Sequence, residues 1–144
     1  MPEDVIDYTI FFRPQTERKK GLNMKRYTKE HEWVELNGDV ATVGITAHAA
    51  DELGDITYVE LPAVGKVVAA GAAMSVVESV KAASDVFAPV GGKVVEVNGA
   101  MESDPSVVNS SAEGTGWFCK LSGVNKAEVE ALMTAEQYAD YTKK

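Results

Sequence analysis

Between Tyr27 and about Leu121 the chain is broken into short runs, "EWVEL", "VATVGI", "ITYVEL", "KVVAA", "MSVVESV", "DVFAPV", "KVVEVN" and "GWFCKL", parted by turn-forming residues. Many short strands at close spacing predict an antiparallel β-sandwich or barrel. Asn37-Gly38, between two alternating apolar runs, is the strongest short-range hairpin signal in the chain. One short helix is expected at "TAHAADELG", with Thr46 as N-cap and Gly54 ending it.

Past Asn125 the pattern changes. "NKAE" and "TAEQ" both place a capping side chain three residues before an acid or amide. Two short helices, near 126–132 and 135–142, are expected to cover an open edge or face of the sheet. With 144 residues, 45% of them hydrophobic, the chain can bury one modest core, so one domain is the default. Residues 1–23 read apart from it, an apolar patch "YTIFF" followed by polar, basic "RPQTERKKGLN". They are expected to be a flexible N-terminal extension or appended tail, with 24–144 forming the domain.

Formal net charge is -8, and residues 1–23 hold four acids and four bases, so the whole excess lies on 24–144. An acidic body repels phosphates and argues against nucleic acid. No apolar run approaches the roughly 18 residues of a membrane span, and the acidic start does not resemble a leader. A cytoplasmic monomer is expected. Cys119 is the single cysteine, which permits no internal disulfide and reads as a small core residue.

Within "SVVESVKAASDVFAP", residues 75–89, the hairpin pattern puts Lys81 where a tight turn ordinarily asks for Gly, Asn or Asp. "GKVVAAG" and "GKVVEVNG" bracket this stretch, as two similar strand units joined through a hairpin with Lys81 at its tip. An ordinary lysine is almost wholly ammonium at pH 7, so nucleophilic catalysis requires burial or a nearby cation. The neighbouring charges here, Glu78 and Asp85, are acidic. Lys81 therefore suits acylation by a separate enzyme better than catalysis of its own. His31 and His48 stand apart in sequence without a metal-ligand spacing, so no metal is expected. No phosphate-cradling glycine motif and no nucleophile elbow is present.

"VESVKAASDVFAPVGGKVVEVN" closely resembles the glycine cleavage H-protein family. "YTKEHEWVEL", "VGITAHAADELGDITYVELPAVGKVVAAG", "PSVVNSS" and "GWFCKLSG" follow in that family's order, so the resemblance covers almost all of 27–123. It implies a hybrid barrel-sandwich of the lipoyl/biotinyl-carrier type, with lipoic acid in amide linkage on Lys81. It also implies a non-catalytic carrier that takes the aminomethyl group of glycine from a pyridoxal-phosphate glycine decarboxylase (P protein) to a tetrahydrofolate-dependent aminomethyltransferase (T protein). A dihydrolipoamide dehydrogenase (L protein) would reoxidise the arm, and a lipoate ligase or lipoyl/octanoyl transferase would attach it. By the same resemblance Glu78, Gly65 and Gly92 match positions read by the lipoylating enzyme, and Glu32 and Asp85 match positions lining a cleft for the loaded arm. The chain departs from the family at Ala112-Glu113, where Pro-Tyr is usual. The alternative within this resemblance is a relay that donates lipoyl groups to other complexes.

Overall fold

A computed structural model describes residues 23–143. Apart from Asn23, the expected N-terminal extension lies outside the described residues. Nine strands and five helices run through the described part: β1 (Met24–Tyr27), β2 (Glu32–Asn37), β3 (Val40–Ile45), α1 (Ala47–Leu53), β4 (Ile56–Glu60), β5 (Val67–Val68), β6 (Ala73–Ser79), β7 (Ala83–Phe87), β8 (Gly92–Val97), α2 (Ala100–Ser103), α3 (Val107–Ser111), β9 (Cys119–Ser122), α4 (Lys126–Glu130) and α5 (Ala135–Thr142). They form a six-stranded sheet, β1-β2-β3-β9-β8-β5, and a three-stranded sheet, β4-β6-β7, antiparallel throughout. The expected mainly-β carrier architecture is present, and it is sandwich-like rather than a closed barrel.

Alternation decides which side chains meet between the sheets. Val34, Leu36, Ala41 and Val43 of the first hairpin face Val59, Met74, Val77 and Val86 of the smaller sheet within one buried cluster. Val94, Phe118, Cys119 and Leu121 extend that core, and Met101 of α2 and Val108 of α3 close it. Cys119 is the core residue its sequence context suggested: its Sγ lies 3.7 Å from Met74 Sδ. Burial pushes its thiol up to about 12, so it remains protonated and inert at neutral pH.

The Asn37-Gly38 signal does give a hairpin, with Asn37 paired to Val40 and Gly38-Asp39 as the two-residue loop. Gly38 has φ 71° and Asp39 does not share the positive φ, so glycine supplies the one left-handed residue the turn needs. Helix α1 is capped as expected, Thr46 Oγ1 accepting from the Ala49 N–H and Gly54 following its last residue. Strand β1, and helices α2 and α3, were not anticipated as elements from the sequence.

The C-terminal helices cover the open edge of the larger sheet. Tyr27 of β1 exchanges backbone hydrogen bonds with Met133, N–H to O=C at 2.9 Å and the return bond at 3.0 Å. The segment between α4 and α5 thereby satisfies an edge that would otherwise be free. Helix α5 begins with the full reciprocal capping box of Thr134 and Gln137. At α4 the box is only half made: Asn125 caps Ala127, while Glu128 turns away to accept from Gly91 N–H at 3.0 Å.

Candidate functional site

Strands β6 and β7 form a hairpin whose loop is Val80-Lys81-Ala82. Ser79 and Ala82 stand opposite each other in line with the Glu78–Ala83 pair, and Val80 and Lys81 turn the chain without a left-handed residue. Among the described non-glycine residues, only His31 has positive φ. Ser79 supplies what a turn-forming residue would have given. Its Oγ accepts from the N–H of Lys81 at 3.1 Å and of Ala82 at 3.2 Å, and donates to the Ala82 carbonyl at 3.3 Å. The Ser79 N–H also closes the loop onto the Ala82 carbonyl at 2.8 Å. A lysine is thus held at the apex by its neighbour's hydroxyl.

The Lys81 side chain is exposed and forms no ion pair among the described residues. It leans over the end of α1, where Nζ donates to the Glu52 carbonyl at 3.3 Å. Val80 beside it is 68% exposed, leaving the approach from solvent open. Glu78 is exposed on β6, and its carbonyl accepts from Thr57 Oγ1 at 3.2 Å.

Gly92 opens β8 of the other sheet, and Gly65 lies beside that strand in the turn before β5. The Gly65 N–H donates to Val94 at 2.7 Å, and Gly92 pairs with Val68 in the short β5–β8 ladder. Both have structural reasons to be glycine. Gly65 has φ 97°, and a Cβ on Gly92 would sit 2.8 Å from the Ser122 carbonyl oxygen.

Glu32 and Asp85 are not in hydrogen-bond contact and occupy different surroundings. Asp85 is exposed on β7 and lines a shallow depression with Lys66, Glu60 and Ser75. Glu32 is buried, 3% exposed. Its Oε1 accepts from Thr28 Oγ1 at 2.6 Å and its Oε2 from the Phe87 N–H at the end of β7, at 3.2 Å. Burial raises its pKa above the ordinary carboxylate range, with the two hydrogen bonds opposing that rise. Phe87 and Glu30, which the sequence did not single out, line an open depression with Gly71 on this side of the molecule.

The loop that departs at Ala112-Glu113 is firmly tied. Ala112 O accepts from Trp33 Nε1 at 3.0 Å. Glu113 takes Lys25 Nζ at 3.1 Å and Tyr27 Oη at 3.2 Å on one oxygen, and the Ala47 N–H at 3.0 Å on the other. The Tyr27 hydroxyl, desolvated beside this carboxylate, is pushed up to about 12. An acid here ties β1 to the start of α1.

The histidines, without a recognisable spacing in the sequence, come together in space: ring centroids of His31 and His48 are 4.9 Å apart, with Glu52 alongside.

A family model described as "Glycine cleavage H-protein" matches residues 25–144. The glycine cleavage system H protein of Phenylobacterium zucineum is 58% identical over 113 residues, 78% of this chain and 93% of that protein. Its counterpart from Thermotoga maritima is 47% identical over 120 residues, 83% of this chain and 97% of the relative. The crystal structure of a glycine cleavage system H protein from Mycobacterium marinum superposes with a TM-score of 0.76 at 37% identity, covering 83% of this chain and 97% of that one. The chain belongs to the glycine cleavage H-protein family, the carrier component of the glycine cleavage system.

Proposed function

We propose that this chain is the lipoyl carrier that shuttles the aminomethyl group of glycine, with lipoic acid joined in amide linkage to Lys81 Nζ. The observation that carries the reading is the position of Lys81, an amine free of ion pairing among the described residues and fixed at an exposed hairpin apex in a member of this family. These residues fit the group. Acylation costs Lys81 only a single exposed hydrogen bond to the Glu52 carbonyl. The attached dithiolane supplies the exchangeable sulfur pair that accepts and releases the aminomethyl group.

The chain's own part is presentation. Ser79 keeps the apex backbone in one conformation, and tethering raises the concentration of the arm at each partner's active site. Glu78, Gly65 and Gly92 are read by a lipoate ligase or lipoyl/octanoyl transferase. Asp85, exposed, and Glu32, whose carboxylate oxygens each keep acceptor capacity beyond the bonds already made, receive a cationic amine when the loaded arm folds back. The partners are glycine decarboxylase, aminomethyltransferase and dihydrolipoamide dehydrogenase, visited in turn.

Reconstitution with the pyridoxal-phosphate decarboxylase and the aminomethyltransferase tests this. The lipoylated chain should support glycine-dependent carbon dioxide release and one-carbon transfer. Lys81→Arg should support neither while keeping its fold, since an exposed substitution shifts stability by no more than about 0.5 kcal/mol. Equal turnover by the folded Lys81→Arg protein would overturn the assignment.

A further inference from the structure

The side chains of His31, His48 and Glu52 form a cluster to which the carrier reading above gives no part. The structure assigns it a role: we propose that these three side chains bind a divalent transition metal of the Zn²⁺ class. Each offers a donor atom, and the three donor atoms lie within 4.8 Å of one another. His48 Nε2 and Glu52 Oε2 are 3.2 Å apart on successive turns of α1. That is the separation two ligands take around a tetrahedral ion at bond lengths of about 2.0–2.2 Å, which places ligand atoms about 3.3 Å apart. Glu52 is exposed and the two imidazoles are half-buried, so the set is open to an entering ion.

His31 is held for such a role. It is the residue with left-handed backbone, φ 70°, in the turn joining β1 to β2. Its N–H donates to Thr28 and its carbonyl accepts from the Thr46 N–H at 3.0 Å, so both sides of the residue are fixed. Strain maintained in this way at a polar side chain is a marker of function. Its Nδ1 lies 2.7 Å from Tyr138 Oη, which lies 2.8 Å from Thr46 Oγ1. With Nδ1–H donating to Tyr138 and Tyr138 donating to Thr46, the direction a bound metal would select, Nε2 presents a lone pair. An outer hydroxyl fixing the tautomer of a metal-binding imidazole is a recurring device of metal sites. Two imidazoles and a carboxylate leave a fourth position for water, and imidazole nitrogen selects Zn²⁺, Cu²⁺ or Ni²⁺ over Mg²⁺ or Ca²⁺.

The test is calorimetric titration of Zn²⁺ into the chelator-treated full chain, with any lipoyl group in its oxidised form so that no arm thiolate competes. One saturable equivalent is expected, and Co²⁺ should give the visible absorption of a tetrahedral nitrogen and oxygen site. His48→Gln and His31→Asn should each weaken binding by at least about tenfold, and Tyr138→Phe, a positioning change, by a similar factor. Asparagine is chosen at position 31 because it tolerates left-handed backbone. Asp51→Asn, an exposed acid on the same helix outside the cluster, should bind as the parent does. Melting temperatures without metal confirm that each variant is folded. Absence of saturable uptake, or parent affinity in folded His48→Gln and His31→Asn, would overturn the proposal.

Discussion

Ser79 shows how one hydroxyl can substitute for turn chemistry. Lys81 stands at the hairpin apex without a left-handed residue because the Ser79 Oγ takes two N–H groups of the loop. Sequence alone marks the lysine as anomalous; it cannot reveal that the Ser79 hydroxyl folds back onto the loop, since a serine in that place reads equally well as an ordinary strand residue. Ser79→Ala should cost about 0.5–1 kcal/mol, the low end for hydrogen bonds because water can replace an exposed partner, and should slow lipoylation. Urea midpoints and a time course of modification check this, and parent values in both would mean that Ser79 is dispensable. Glu32 carries a second prediction. Its folded pKa is raised, so the folded state holds a proton over a pH range in which the unfolded chain has released it. The stabilisation is present below the ordinary carboxylate range and is lost as pH rises through the raised folded value. Glu32→Gln removes that dependence, so the variant should gain stability relative to the parent as pH rises from about 4 upward and then level off. A difference that is flat with pH in urea unfolding would contradict the burial of a charged carboxylate at this position.

At the scale of elements, capping was legible wherever side chain and backbone cooperate. Thr46 before α1 and Thr134 before α5 both act as their sequence contexts suggest. Helices α2 and α3 were missed because they have four and five residues and no side-chain cap bond from their N-cap residues, and distant contacts secure them: burial of Met101 and Val108, and the bonds of Asn109 to the Ile56 N–H and the Gly54 carbonyl. Strand β1 was missed because its four residues, Met24–Tyr27, include two cations and show no apolar run of their own, and it is held by its ladder to β2 and by the Tyr27–Met133 bonds on its other edge. Candidate residues divided in the same way: the lysine is a local signal, whereas the His31, His48 and Glu52 cluster exists only once α1 is folded against the β1–β2 turn. Thr134→Ala removes the side-chain half of the capping box, leaving the Gln137 N–H without its Oγ1 acceptor, and should cost about 1 kcal/mol. Because Tyr138 of α5 stacks on Tyr27 at 4.8 Å, part of the loss should appear as earlier exposure of that aromatic pair, read by near-ultraviolet circular dichroism. A loss confined to α5, with the aromatic signal unchanged, would mean that the helix covers the edge without bracing it.

The whole molecule is an acidic β-sandwich that keeps one amine at a tip and closes its open edge with its C-terminal helices. Among the described residues no helix is long and apolar enough to cross a membrane. The family match begins at residue 25 and β1 begins at Met24, so a chain starting at Met24 should keep the parent's melting temperature and accept lipoate as readily. A clear loss of either would give residues 1–23 a part in the fold. Everything in the carrier reading depends on Lys81 being the attachment point of the arm. Intact mass followed by peptide mapping of the full chain, isolated from lipoate-replete cells, tests it most directly. A single lipoyl group is expected, located on the peptide containing Lys81 and absent from Lys81→Arg; a lipoyl group on any other lysine, or on the Lys81→Arg protein, would refute the assignment.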